Sequence, residues 1–528
     1  KIAHNLGVPA DSEFRYRAGL IHVLGEASEN GHCYLPQPEL IELAHSQLTT
    51  ESHTPSLDAI AQVIEQMIQL QELIVENSAD QIPLCYKPAF FHTEQNLAQR
   101  LGQHLSYPVT VDLPRVRNWI SRFTASRGIE LSPQQHQAVE MAVSSRVMIL
   151  TGGPGCGKTF TTHSIVSLWK AMGKSIALAA PTGRAAQRLS EMTRLEAKTL
   201  HRLLEFDPRT MAFKRDSENP LPCDAIVVDE ASMLDLFLAH ALIKAIPQEA
   251  QLLLVGDIDQ LPSVGPGNVL QDLIASNRVP VVRLTQIFRQ AAQSAIITAA
   301  HQINTGQYPT IEPISDNPRS DCLWHGGGYE PEHGVQVISE LIADLIPKLG
   351  FNPATDVQVL CPMTRGVVGT RNFNRVLQQL INPPTPDKVE ITRGGATLRV
   401  GDRIIQIVND YNREVFNGDM GVITAIDTVE QEVTVQYSER SVSYDYADLN
   451  EIALAWAVTI HKSQGSEYPV VILPLYMQHY LMLSRNLLYT GLTRAQKLAI
   501  VIGAKKAVAI AIRSTDKQQR YTQLKQRL

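Results

Sequence analysis

Residues 147–159 read VMILTGGPGCGKT: a short apolar run, then four glycines within six residues, then the start of a helix-forming stretch. No other segment limits the fold so strongly. An apolar strand that turns sharply into a helix belongs to a strand–helix–strand unit, and such units build parallel sheets covered by helices. The spacing is that of the G-x-x-x-x-G-K-[ST] loop, whose backbone N–H groups cradle phosphates at a helix N-terminus. Lys158 is expected to reach the β- and γ-phosphates of ATP, and the Thr159 hydroxyl to hold Mg²⁺. Gly152, Gly153, Pro154, Gly155, Cys156, Gly157 and Phe160 complete the expected loop contacts.

From about residue 129 the strand–turn–helix rhythm continues. Buried strands are expected at Val147–Leu150, Ile176–Ala179, Ala225–Val228, Leu252–Val255, Val357–Leu360, Val470–Leu473 and Leu498–Ile502. These are too many for one sheet, and there is one phosphate loop, so two α/β domains are expected over 129–280 and 281–528. Residues 1–128 instead carry apolar residues three and four apart, as in Pro38–Leu48 and Ser56–Leu70, and read as a helical accessory domain. Within it, His32 of GHCYLP reads as a turn residue rather than a ligand. Two inserts interrupt the rhythm. Glu205–Lys214, inside a segment of about 205–222, reads as two short strands around an Asp207–Thr210 turn. Gly401–Tyr446, inside about 390–450, alternates as short strands do and reads as a small β-barrel. Asp316–His333, with its glycines and prolines, reads as a surface loop.

Several segments add chemistry to the phosphate loop. Ala225–Glu230 is an apolar strand ending in two acids, about 70 residues after the loop. Asp229 is placed to share the Mg²⁺ with Thr159, and Glu230 to orient or deprotonate an attacking water. Upstream, Gln135 in LSPQQHQAV can donate and accept at once, as reading an adenine edge requires. Asp257 and Gln260, in VGDIDQLPSVGPG, are expected beside the γ-phosphate. Phosphoryl transfer also needs cations on the developing charge, and Arg289 and Arg494 are the candidates. Both follow the first domain, so both require the second to close over the nucleotide. Nucleic-acid contacts are expected from Pro181, Thr182, Gly183 and Arg184, from His201, and from Thr459, His461, Lys462 and Ser463. Short hydroxyls and occasional cations suit sugar-phosphate contact, hence weak sequence preference and strong salt dependence.

Composition excludes more than it selects. With 44% hydrophobic and 19% charged residues the chain has the make-up of a soluble globular protein. Six scattered cysteines without a C-x-x-C pair point to a reduced, cytoplasmic setting and no zinc or iron–sulfur centre. No apolar run approaches the roughly 18–20 residues of a membrane helix. The N-terminus lacks a signal-peptide core and an initiator Met, so a missing upstream part is expected. A net charge of −6 says nothing about nucleic acid, but residues 485–528 hold ten Lys/Arg against Asp516 alone. That stretch reads either as a solvated basic tail or as a phosphate-attracting surface.

Taken together, GGPGCGKTF, APTGRAAQRL, TLHRLL, VVDEASML, LLVGDIDQLPSVGPG, LTQIFRQ, TIHKSQGSEY and LLYTGLTRA resemble superfamily 1 helicases, most closely the RecD-like helicases of the 5′-to-3′ branch. The likeness spans about residue 130 to the C-terminus and continues more weakly upstream through RYRAGL and GHCYLP. It implies two RecA-like parallel-sheet domains, a helical N-terminal domain and an SH3-like β-barrel insert, with Glu205–Lys214 as a strand-separating pin. It also implies ATP-dependent 5′-to-3′ translocation on single-stranded DNA and unwinding of forked duplex. Gly465 and Glu467 join the nucleotide-site residues on this ground alone. A monomer acting without a membrane, with a single-strand-binding protein or repair proteins as partners, is the implied setting. Alternatives are an RNA-directed translocase, the motor subunit of a larger nuclease, and an ATP-switched DNA-binding scaffold. Cys156 departs from the family's usual Thr or Ser, though its backbone N–H still serves. The family's helix-hairpin-helix modules are expected upstream of Lys1.

Overall fold

The structure, a computed structural model, describes residues 9–51, 53–288, 293–315, 318–326, 328, 330–386, 388–438, 440–515 and 519–528. Six parallel strands form the first sheet, in the order Val281–Leu284, Val147–Gly152, Gln251–Gly256, Ala225–Val228, Ile176–Ala180, Ala197–Thr199. Val147–Gly152, Gln251–Gly256 and Ala225–Val228, at its centre, are buried along their whole length, as unbroken Val/Ile/Leu runs require when helices cover both faces. Strand order reverses beside the loop strand, and the phosphate loop, Asp229 and Asp257 all leave the sheet at its carboxyl edge, where α/β sheets bind ligands.

A second all-parallel sheet runs Glu312–Pro313, Cys322–His325, Ala495–Gly503, Tyr468–Leu475, Val357–Cys361, Ala457–Thr459. All seven strands expected from the sequence lie in these two sheets. The boundary expected at 280 does not hold: Val281–Leu284 pairs with the loop strand, Leu284 opposite Gly152, and closes the first sheet. Nor is Asp316–His333 simply a surface loop. Cys322–His325 is a strand pairing with Ala495–Gly503, and Cys322 and Leu323 are fully buried.

The N-terminal region is not purely helical. Helices Glu13–Glu29, Gln37–Leu48 and Leu57–Gln69 are joined by a three-stranded antiparallel sheet of Tyr34–Pro36, Pro83–Tyr86 and Ile74–Asn77. The boundary at 128 also fails as a packing boundary. Val116 and Ile120, on the helix Leu113–Arg127, share a core with Ala138, Val139 and Trp169 of the first lobe. At the other end, Leu524 is buried among first-lobe residues such as Leu270 and Leu273, so the last residues do not belong to the second lobe.

The all-β insert is an antiparallel sheet in the order Ser441–Asp445, Glu432–Gln436, Met420–Asp427, Arg403–Gln406, Ile452–Leu454. Alternate residues Val433, Val435, Val442 and Tyr444 point into its own core. The short hairpin pairs Phe206–Asp207 with Ala212–Phe213 and leaves Met211, at its tip, 75% exposed. Among the described residues no helix is long and apolar enough to cross a membrane.

Candidate nucleotide site and nucleic-acid cleft

Gly157 precedes the helix Lys158–Ala171 with φ of 80° and, among the described residues, gives its first turn no capping side chain, the arrangement in which first-turn N–H groups serve an anion. Its left-handed backbone favours glycine, and a β-carbon there would sit 2.6 Å from Gln135 Nε2 and 2.9 Å from the Phe288 ring. Lys158 Nζ donates to the carbonyls of Gly152 and Gly153 and lies 4.0 Å from Asp257 Oδ2. The ammonium thus rests within the loop it is expected to serve. Asp229 accepts from the Glu230 N–H at 2.9 Å. Burial, then the neighbouring Glu230 charge, pushes its carboxyl up to about 6.

Arg494 reaches this carboxylate pair from the second lobe. It is buried, its Nη1 lies 3.9 Å from Glu230 Oε1, and Thr490 O and Ser466 O accept from its guanidinium at 3.3 Å. Arg289 falls outside the described residues; Phe288, just before it, donates its N–H to Gly155 O at 3.4 Å. Gln260 is buried, with Nε2 3.4 Å from Asp257 Oδ2. Gln135 differs from expectation in one respect. Its Oε1 accepts from the Ser132 N–H in a capping box, so only Nε2 is free to read a base.

Two residues passed over in the sequence join the site. Tyr489 of LLYTGLTRA donates to Asp257 Oδ2 at 2.7 Å, tying the second lobe to the first. A β-carbon on Gly153 would meet both His301 and Tyr489 at 3.4 Å, so His301 also faces the phosphate loop. A lone histidine in AAHQIN carries no motif to betray it. Three buried polar atoms around the seam, Gln135 Nε2, Gln260 Oε1 and His301 Nε2, have no hydrogen-bond partner among the described residues. Buried polar groups are nearly always satisfied, so these orphans, with the uncapped helix start, fit a bound nucleotide.

A cleft of about 910 Å³ opens between the first lobe, the second lobe and the all-β insert. Gly183, Arg184, Arg188, Lys198, Arg202 and Arg440 are among its lining residues. Thr182 caps the helix Gly183–Thr193 by accepting from Ala185 N, which leaves Pro181 and Thr182 at the turn into the cleft. Ion pairs cross it: Arg188 to Glu467 at 2.7 Å and Arg202 to Glu414 at 4.0 Å. Glu467 therefore lines the cleft, and Gly465 lies so close to Thr182 that a β-carbon would collide with its hydroxyl. Both had been expected with the nucleotide. His201 packs edge-on against Phe206 and near Phe213, each at 5.6 Å, and buttresses the hairpin. Phe206 in turn meets Tyr411 of the all-β insert at 5.2 Å. In the 3₁₀ turn His461–Ser463, the Lys462 N–H lies 3.4 Å from the Thr459 hydroxyl, and the Ser463 hydroxyl is spent on Ile460 O at 2.7 Å. The basic C-terminal stretch is neither wholly solvated nor wholly free for phosphates, because Arg485, Arg494, Arg520 and Arg527 are spent on internal partners.

Two parallel-sheet lobes, a phosphate loop on one and an arginine from the other beside its carboxylates are the layout of a superfamily 1 helicase. Comparison with known proteins narrows the class. The AAA domain model matches residues 135–266, the ATP-dependent RecD-like DNA helicase SH3 domain 373–437, the UvrD-like helicase C-terminal domain 454–502, and the ATP-dependent RecD2 DNA helicase HHH domain 1–34. An ATP-dependent RecD2 DNA helicase from Deinococcus radiodurans is 34% identical over 99% of this chain and 70% of its own length. A RecBCD enzyme subunit RecD from Mycolicibacterium smegmatis is 33% identical over 72% of each chain. A solved Bacteroides Pif1 bound to ssDNA superposes with a TM-score of 0.45 at 20% identity, covering 72% of this chain and 94% of that one. The chain belongs to the RecD-like superfamily 1 DNA helicases. One expectation is corrected here: the family's helix-hairpin-helix domain model matches residues 1–34, within this chain.

Proposed function

We propose that this chain is an ATP-dependent DNA helicase that moves 5′-to-3′ on single-stranded DNA and opens duplex at a fork. The observation that carries this reading is Arg494, a second-lobe cation buried 3.9 Å from the first-lobe Glu230. Closure of the lobes completes the site and separation dismantles it, so turnover is coupled to lobe movement. Thr159 and Asp229 would hold Mg²⁺, which when bound neutralises charge on the β- and γ-phosphates. Lys158 leaves the Gly152 and Gly153 carbonyls for the phosphates. Glu230 orients the attacking water, while Arg494 stabilises the charge that develops in transfer. Gln260 reports the γ-phosphate to Thr490, Gln464 and Asn486 of the second lobe, which hold its loop through Leu261 N, Leu261 O and Gln260 O.

Single-stranded DNA would lie along the cleft, contacted by Thr182, Arg184 and Lys462. The Glu205–Lys214 hairpin, braced by Tyr411, would stand at the fork. Each base-pair step resists by about 1.4 kcal/mol on average. A passive hairpin only biases the fork, so the ATP cycle supplies the work. A monomer in the cytoplasm, meeting a single-strand-binding protein or repair proteins, is the proposed setting. The test is unwinding of 5′-tailed and 3′-tailed duplexes with and without ATP; opening of the 3′-tailed substrate alone would reverse the polarity. The likeness to RecD subunits favours a second reading, the motor of a helicase–nuclease complex. Native mass measured from its own cell extract separates the two.

A further inference from the structure

The loop after Gln260, residues 262–267, forms neither helix nor strand, so its carbonyls take donors from outside a regular ladder. Leu236 N serves Pro266 O and the Ser263 hydroxyl lies 3.0 Å from Gly265 O, and further donors come from Arg520. Its Nη1 donates to Ser263 Oγ at 3.0 Å, Gly265 O at 2.8 Å and Gly267 O at 2.7 Å, and its Nη2 to Ser263 O at 2.6 Å. The guanidinium also lies on Gly31, where φ is 90° and any β-carbon would collide with it. The same turn is held once more by the N-terminal domain, through Gly267 N to Gly31 O at 2.9 Å.

The segment carrying Arg520 is itself anchored. Tyr521 exchanges backbone contacts with GHCYLP: Cys33 N donates to Tyr521 O at 2.8 Å, and Tyr521 N to His32 Nδ1 at 3.0 Å. Its ring lies 4.7 Å from His32 and 5.4 Å from Tyr34. Thr522 and Gln523 bond Glu94, and Arg527 bonds Glu94 and Glu76. Residues 520–528 thus leave the second lobe and strap the N-terminal domain to the first. One end of the Gln260 loop is gripped by the second lobe, through Thr490, Gln464 and Asn486; the other end is gripped by this strap.

We propose that Arg520 is a positioning residue for nucleotide turnover: it fixes the far end of the Gln260 loop against Gly31, so that the N-terminal domain takes part in coupling ATP hydrolysis to DNA. The inference rests on Gln260 acting as the γ-phosphate sensor. Its test is the ratio of DNA-stimulated to basal ATPase kcat in the full chain, using oligo(dT), for Arg520→Ala, Arg520→Lys and Gln260→Ala. Loss of folded protein lowers both rates alike and leaves the ratio unchanged, so the ratio separates positioning from mere stability. Arg520→Ala is expected to lower it more than about fivefold, with the KM for ATP unchanged. Lys, which lacks the planar fork, is expected not to restore it. A fall of about fivefold or less overturns the role of Arg520 if Gln260→Ala still lowers the ratio. If Gln260→Ala leaves the ratio intact, the sensor reading fails, and this inference with it. Should Arg520→Ala not fold, Arg520→Lys decides on the same threshold.

Discussion

Lys158 and Asp229 show how a residue reads differently in sequence and in space. The loop spacing predicts Lys158 on phosphates, and the fold places it on the loop's own carbonyls. Lys158→Ala is expected to lower ATP turnover by at least about a hundredfold while single-strand binding, measured by fluorescence anisotropy, stays in the same decade. Asp229 was legible as an acid at a strand end, but its environment was not. Its carboxyl is raised from 3.8 to about 6 by burial and by Glu230. An acid with a raised folded value contributes its full stability below 3.8, and that contribution is lost as pH rises through about 6. Asp229→Asn removes the penalty of holding the charged form, so thermal melting at pH 8 is expected to show a gain in Tm over the parent chain. That gain is expected to vanish near pH 4, and turnover to be lost at every pH.

At the scale of elements, the strands that carry apolar runs announced themselves, whereas Cys322–His325 and Val281–Leu284 did not. Four residues between glycines and prolines look like a loop until a neighbour such as Ala495–Gly503 supplies hydrogen bonds. Pairing, not propensity, makes that strand. The Glu205–Lys214 hairpin was visible through its turn residues; its brace was not, because Phe206 and Tyr411 are some 200 positions apart. Deleting Glu205–Lys214 is expected to spare DNA-stimulated ATPase and stop unwinding of a tailed duplex. Tyr411→Ala, which frees the hairpin without removing it, is expected to slow unwinding several-fold at unchanged ATPase. Normal fork opening in the deletion variant would rule out a strand-separating role.

Across the whole molecule, function depends on surfaces that meet from separate domains. The Arg188–Glu467 pair is 42% and 28% exposed at its side chains and so adds little stability. Its effect is to join first-lobe and second-lobe walls across the cleft. DNA binding there is expected to weaken steeply with salt, and Arg184→Ala to reduce the slope of log affinity against log salt by about 0.7, one single-strand phosphate contact. An unchanged slope would remove Arg184 from the binding surface.

By itself the sequence carried the spacing of the loop, the acid pair and the apolar strands, because each depends on residues adjacent in the chain. It also carried the family, through motifs in fixed order. Only the tertiary structure decided which wall Gly465 and Glu467 face, that Val281–Leu284 completes the first sheet, and that Arg520 and GHCYLP meet. Those contacts join positions more than a hundred residues apart, and no local pattern encodes a partner that chain folding alone brings near.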